Sequence, residues 1–367
     1  MLVLVIAIGA GRADATPAAS PPEVADRLVQ RWAPVYVQHV DADDRGADRP
    51  TRVDFDGNWD TTDNWDRQAR FGAALPPAVY GAAILTDTHA YLTYSLYYPR
   101  DWDRRICAPF LCHDNDLETI QLVVERGGGG DGDGRLVEVR VKAHLRVGEV
   151  DGVGVARAAD GRPLLRVESG GHGIAVCRPG EPACAARPGR LVYAPGSATA
   201  EPPARAAGQT VRYQLLPLYA TLWARRHLDH RRLWTDGETG PLFYRGRRMG
   251  RLGHPMGAAM AGSRFLGGVR PPWAIKGSLG ARGDWFLDPA GDAAASRYEF
   301  NPFLDDLAAE CRGRACAPGP RRERTRAEYL VKLAAPYLVA ALVPIAVHGW
   351  RRRREGPPPS GRHTIVP

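Results

Sequence analysis

Residues 97–125 read YYPRDWDRRICAPFLCHDNDLETIQLVVE, and the second half of this stretch decides the fold class. Side chains alternate across a strand, so Asp116, Glu118, Ile120, Leu122 and Val124 share one face. Two carboxylates therefore stand at the start of a row that becomes apolar. Upstream, the aromatic and β-branched run Ala90–Tyr98 predicts a partner strand. Downstream, the glycine-rich stretch Gly127–Gly134 predicts a turn. The segment Arg135–Val147 then alternates, with Val137, Val139, Val141, Ala143, Leu145 and Val147 on one face and Glu138, Arg140, Lys142, His144 and Arg146 on the other. Leu164–Val167 adds a short strand. Short strands separated by glycine-rich turns predict a mainly β fold, an antiparallel β-sandwich of jelly-roll type. A few covering helices are expected at Glu23–Trp32, Leu215–Trp234 and Phe303–Glu310, and an ordered loop at Gly246–Gly268.

Both ends of the chain carry membrane-type patterns. Leu2–Ala10 is apolar, and Ala13-Asp14-Ala15 supplies a small-residue cleavage pattern, so 1–15 read as a secretory signal peptide. Near the other end, Leu333–Gly349 holds no Asp, Glu, Lys or Arg. As a helix it spans about 26 Å at roughly 1.5 Å per residue, close to the ~30 Å hydrocarbon core. Lys332, Tyr329 and Trp350 flank it as interfacial residues, and Arg351–Arg354 read as a stop-transfer block. The expected organisation is a signal peptide at 1–15, an N-terminal extension and loop at 16–80, and a β domain at 81–310. A Cys/Arg-rich linker at 311–328, a transmembrane helix at 329–350 and a basic tail at 351–367 follow. A buried core helix is the competing reading of 333–349. The formal charge is +8. Its arginine clusters flank the apolar run rather than an aromatic surface, which points away from nucleic acid. The protein is thus expected to be exported and anchored in the cell membrane, with its main domain extracytoplasmic.

Cysteine usage agrees with export. The six cysteines fall as close pairs, Cys107/Cys112, Cys177/Cys184 and Cys311/Cys316, and local disulfides are the simplest pairing. Zinc knuckles are the rival, but no pair has the C-x-x-C spacing. No P-loop, G-x-S-x-G or H-E-x-x-H motif occurs.

The chemistry lies around the two carboxylates. Asp116 and Glu118 on one partly buried face repel unless protons or a cation sit between them. His113 enters just before them, on a loop that a Cys107–Cys112 bond would tether. The stretches Tyr98-Pro99-Arg100-Asp101, Cys112-His113-Asp114-Asn115-Asp116-Leu117-Glu118 and Ser169-Gly170-Gly171-His172-Gly173 follow in order. They resemble the F-P-K-D, G-H-R-H-D-W-E and S-x-x-H-G patterns of the necrosis-inducing (NPP1-like) proteins and their Vps62-like relatives. Pro271-Pro272-Trp273 and Gly283-Asp284-Trp285-Phe286-Leu287-Asp288-Pro289 resemble further patterns of the Vps62-like group. Asn115 and Leu117 stand where the family motif has histidine and tryptophan. The resemblance implies a divalent-metal site on Asp101, His113, Asp116, Glu118 and His172, and a lipid or glycan headgroup as ligand. The oxygen-rich set suits Ca²⁺, Mg²⁺ or Mn²⁺, and its two imidazoles leave Zn²⁺ open.

A second acidic cluster, Asp54, Asp56, Asn58, Asp60 and Asp63, begins like a calcium loop. It lacks the glycine after the third ligand, and Arg67 replaces the bidentate glutamate, so it reads as a polar loop. Trp59 and Trp65 in it suit sugar stacking or local packing. Three function classes stay open: a binding or membrane-active module shaped by its metal, a metal-dependent hydrolase, and a structural envelope protein. Coordination number separates the first two, because five protein ligands leave little room for an activated water and three leave room.

Overall fold

The strand-forming segments come together in a computed structural model that describes residues 19–41, 46–71, 75–102, 112–127, 132–143, 146–199, 210–226, 233–234, 241–244, 247–251, 260–261, 271–274, 286–290 and 298–313. The strands in chain order are β1 (Val35–His39), β2 (Ala78–Thr86), β3 (His89–Asp101), β4 (His113–Glu125), β5 (Arg135–Ala143), β6 (Arg146–Asp151) and β7 (Leu164–Val167). They continue with β8 (Ile174–Val176), β9 (Arg190–Pro195), β10 (Thr210–Pro217), β11 (Pro241–Tyr244), β12 (Arg247–Arg251) and β13 (Tyr298–Phe300). The helices are α1 (Pro21–Trp32), α2 (Asn64–Phe71) and α3 (Pro302–Gly313). Eleven strands share one sheet in the order β6-β5-β4-β3-β2-β10-β9-β1-β7-β8, with β13 added beside β2, while β11 and β12 pair separately.

The mainly β expectation holds, and the all-antiparallel sandwich is corrected. β10 runs parallel to both β2 and β9, and β1 runs parallel to β7. The sheet curls until β8 packs against β5 and β4, so it is nearly closed and barrel-like. Periodicity says which face of a strand is apolar but not which strand lies beside it, and the parallel pairs were therefore invisible in sequence. The segment 16–80, expected as an extension, contributes α1, β1, α2 and the start of β2.

Two apolar cores flank the sheet. One gathers Leu96, Tyr98, Ile120, Leu122 and Val124 with Tyr36, Tyr193 and Tyr213 and the buried face of α1. The other gathers Tyr97, Leu117 and Val123 with Trp223, Trp234, Trp273, Phe286 and Phe303. The even-numbered row of β4 thus faces the first core, as its alternation predicts. α1 starts where Ser20 donates its backbone N–H (2.7 Å) and Oγ–H (2.9 Å) to the Glu23 carboxylate. It buries Ala25, Leu28, Val29 and Trp32, the period of an amphipathic helix.

Three local expectations change. Arg135–Val147 is two strands, β5 and β6, and the pairing of Val123 with Glu138 and Val124 with Leu136 shifts register at Val137. That bulge turns Val137 toward the second core while Val139 and Val141 stay in the first. The helix expected at Leu215–Trp234 gives way to the end of β10, which pairs with β2 as far as Pro217, followed by turns and a short 3-10 segment at Trp223–Arg225. Sheet pairing here overrides helical periodicity. Within Gly246–Gly268, expected as loop, Arg247–Arg251 is strand. The signal-peptide and transmembrane expectations at 1–15 and 329–350 lie outside the described residues. Among the described residues no helix is long and apolar enough to cross a membrane.

Candidate functional site

The β3–β4 pair positions the predicted site residues. Its register places Glu118 opposite Leu96, Asp116 opposite Tyr98, Asp114 opposite Arg100 and His113 opposite Asp101. Asp116 and Glu118 are buried, on the same face as Leu96 and Tyr98. Directly opposed residues of an antiparallel pair are within side-chain reach. At this end of the pair His113 Nε2 lies 3.3 Å from Asp101 Oδ2, and its Nδ1 lies 3.1 Å from the Asp114 carbonyl.

His172 arrives from the loop after β7 and is fully buried. Its ring stacks on Tyr98 with centroids 3.7 Å apart and planes 2° apart. Its Nδ1 lies 2.9 Å from Asp116 Oδ2 and its Nε2 lies 3.3 Å from Asp48 Oδ1. Asp48, a residue the sequence did not single out, is the hub of this loop. Its carboxylate accepts from the Asp41 amide (2.6 Å), the Ser169 hydroxyl (2.8 Å) and the Gly170 amide (2.7 Å). Gly170 sits at φ +79°, and a Cβ there would collide with the Trp102 carbonyl. The Trp102 amide donates to the Gly170 carbonyl at 3.2 Å, which ties the His172 loop to the end of β3. The Tyr98 hydroxyl donates to Gln38 Oε1 at 2.8 Å and fixes the stacked ring.

Strain gathers at the same end. Among the described residues, the non-glycine residues with positive φ are Asn115 (+56°) and His172 (+49°). Asn and His tolerate this region better than most residues, and such outliers collect at functional sites. Asn115 is held by its side chain, which accepts from the Tyr97 hydroxyl at 2.5 Å and donates to the Thr61 (2.9 Å) and Ala261 (2.7 Å) carbonyls.

Electrostatics follow from these contacts. Burial alone would lower the His172 pKa, but hydrogen bonds and charges from Asp116 and Asp48 outweigh it and push it up to about 10. Burial likewise opposes protonation of His113, while the Asp101 hydrogen bond and the charges of Asp116 and Asp101 raise it to about 9. Both imidazoles are therefore cationic at neutral pH, with no metal present. Two buried carboxylates, Asp48 and Asp116, flank the His172 ring, and a third, Glu118, is buried two residues further along β4.

Each of the five predicted residues thus lies on or beside one end of β3–β4, as two ion pairs plus Glu118. Among the described residues no group of three or more His, Cys, Asp or Glu side chains is set to ligate a metal ion as it stands. Carboxylate oxygens are the donors that a hard cation takes. Both nitrogens of His172 already face carboxylates, an arrangement suited to orienting Asp116 from behind.

The second acidic cluster is self-contained. Asp56 accepts from the Asn58 amide (3.1 Å) and side chain (2.7 Å), and Asp60 accepts from the Thr62 amide (3.1 Å). Arg67 pairs with Asp63 at 2.9 Å and lies 3.6 Å from Asp56, while Arg52 pairs with Asp54 at 2.8 Å. Trp59 carries the Arg225 guanidinium 3.9 Å over its ring, and Trp65 carries that of Arg100 at 5.2 Å. Local packing is what these indoles do, and their stacking partners are arginines of the chain itself.

Cys177 and Cys184 form a disulfide. Cys112 is disulfide-bonded, while Cys107 and Cys316 lie outside the described residues. The side chain of Cys311, at the end of α3, lies outside the described set as well.

No family model matches this sequence, and no curated protein matches it. Solved structures that match include one described as "Toxin fold for microbial attack and plant defense", at 16% identity and TM-score 0.30, over 44% of this chain and 72% of that one. Necrosis and Ethylene inducing Protein 2 from the causal agent of cocoa's Witches Broom disease matches at 17% identity and TM-score 0.26, over 44% and 69%. NLPPya in complex with glucosamine matches at 15% identity and TM-score 0.30, over 54% and 76%.

Proposed function

We propose that this chain is an exported binding module that holds a divalent cation at the β3–β4 end and presents it to the polar headgroup of a glycan or lipid. The observation that carries this reading is the pair Asp116 and Glu118, buried on consecutive positions of one core-facing row with Asp48 and His172 behind them. Carboxylates so placed need a positive charge close by, and His172 supplies one that Asp48 shares. A hard cation bound by these oxygens keeps open positions for hydroxyl or phosphate oxygens of a ligand. The order of the motifs from Asp101 to His172 gives the same assignment through the family resemblance.

Export is supported by the Cys177–Cys184 disulfide and the bonded state of Cys112. Anchoring is proposed from the uncharged run Leu333–Gly349 and the arginines after it. Full-length protein that resists carbonate extraction, with a chain ending at Glu328 released as soluble material, is the expected fractionation.

The test of the site is thermal unfolding in EDTA and after adding back Ca²⁺, Mg²⁺, Mn²⁺ or Zn²⁺, followed by titration of the metal-loaded protein with amino sugars. Glucosamine and mannosamine, each present in a complex of NLPPya, are convenient probes. A melting temperature indifferent to EDTA and to every metal, with no metal co-purifying, rejects the cation. Sugar binding that is unchanged in EDTA rejects the role given to it.

A further inference from the structure

A second charged site lies on other elements, where the last turn of α1 meets the turn between β6 and β7. Arg27 and Arg31 are four residues apart on α1 and so share a helix face. Trp32 is buried, and its Nε1 donates to the Asp133 carbonyl at 2.8 Å. Two guanidinium groups lie over its indole, that of Arg31 at 5.4 Å and that of Arg157 at 5.5 Å from the ring centre.

Two other features bring these groups to one place. Arg157 Nη1 approaches the Gly161 carbonyl at 3.5 Å, and a Cβ built on Gly161 would lie 3.7 Å from Arg31 Nη2. On the other side, a Cβ built on Gly132 would lie 3.9 Å from Arg27 Nη1. Both glycines have positive φ, +81° and +69°. At these two turn positions the chain places no side chain against the guanidinium groups.

One local acid belongs to the cluster and the other is engaged outside it. Asp133 pairs with Arg31 at 3.0 Å. Asp160 pairs with Arg162 at 3.0 Å, and Arg162 Nη1 also donates to the Gln30 and Ala33 carbonyls at the C-terminal end of α1. Among the described residues, neither Arg27 nor Arg157 has a carboxylate in ion-pair range. Burial and the nearby charge of Arg31 both lower the Arg157 pKa, the mark of a cation crowded by another. Asp133 offsets one of the two like charges on this ring, and a bound anion would offset that of Arg157. A guanidinium fork matches the oxygens of a phosphate, and each contact is a charge-assisted hydrogen bond.

We propose that Arg31 and Arg157, with Arg27 at the rim, form a binding site for a phosphate group beside Trp32. Two sources present that group, free phosphate and the phosphomonoester headgroup of a lipid. The site shares no residue with the β3–β4 end, so it stands or falls independently of the metal.

The test uses the full chain in EDTA at constant ionic strength. Inorganic phosphate is titrated calorimetrically, and co-sedimentation is measured with phosphatidylcholine vesicles with and without phosphatidic acid. Wild-type protein is expected to bind phosphate, and Arg157→Gln to bind it roughly tenfold or more weakly, the scale of losing a hydrogen bond to a charged group. Arg27→Gln, on an exposed helix face, is expected to weaken it less. Arg187→Gln, at another exposed arginine, is expected to leave it unchanged. Sedimentation that requires phosphatidic acid and is lost in Arg157→Gln supports the site with a lipid as its source. Phosphate binding lost in Arg157→Gln while vesicles are ignored supports it with a soluble ligand. Equal phosphate binding by wild type, Arg157→Gln and Arg27→Gln, or an equal response to chloride, overturns it.

Discussion

Two acidic regions of this chain look alike in sequence and behave differently in the fold. The 54–63 loop spaces its acids and Asn58 at every second or third position, like a cation loop, yet it neutralises itself with Arg52, Arg67 and hydrogen-bonded turns. The β4 row carries only Asp116 and Glu118, but it buries them and brings Asp48 and His172 from distant loops. Density of carboxylates is therefore a poor guide to a cation site. Burial without sufficient counter-charge is the better one, because the low dielectric of the interior makes the missing charge costly.

The sharpest way to break this contrast is to remove its hub. Asp48→Ala strands the buried His172 ring and the buried Gly170 amide and is expected to destabilise the fold by about 3–5 kcal/mol, as for other broken buried pairs. Chemical denaturation measures it. A loss below about 1 kcal/mol, the level of an exposed ion pair, would put Asp48 on the same footing as the loop acids.

Raising pH attacks the same contacts without deleting an atom. In EDTA, His172 and His113 have folded pKa values of about 10 and about 9, above the ~6.5 of an unfolded chain. Their stabilising contribution is complete below about pH 6.5 and is lost as pH rises through 9 to 10. Melting temperatures across that window should fall for wild type and fall less for His172→Gln. A flat profile between pH 7 and 10 would refute the ion-paired imidazolium.

The metal separates the two regions most directly. Saturating cation should stabilise wild type by about 2.7 kcal/mol at roughly a hundred times Kd. Asp116→Ala and Glu118→Ala should abolish that gain, and Asp56→Ala should retain it. The reverse pattern, read by thermal shift, would move the cation to the 54–63 loop. The smallest effect belongs to Asp60, whose carboxylate caps the turn at Thr61–Asp63. Asp60→Ala should cost about 1 kcal/mol, as for a lost N-cap, with the metal response intact.

Local chemistry in the sequence determined a good deal. The alternation from Asp116 to Val124 placed two carboxylates and an apolar row on one face, and β4 has that row because the strand period is fixed by the backbone. Glu23–Trp32 and Phe303–Glu310 declared helices through their apolar spacing, and α1 and α3 occupy them. The close spacing of Cys177 and Cys184 foretold their bond. Tertiary structure alone decided the rest. Whether β10 pairs with β2, where Val137 bulges, and that Leu215–Pro217 extend a strand instead of starting a helix all depend on neighbours distant in the chain. The site divides the same way. The motif order drew attention to Asp101, His113, Asp116, Glu118 and His172, but Asp48 lies 124 residues before His172 with no periodic signal around it. Its role exists only because curling the sheet brings the two loops into hydrogen-bond range, and hydrogen bonds and charges act through space, where sequence spacing says nothing.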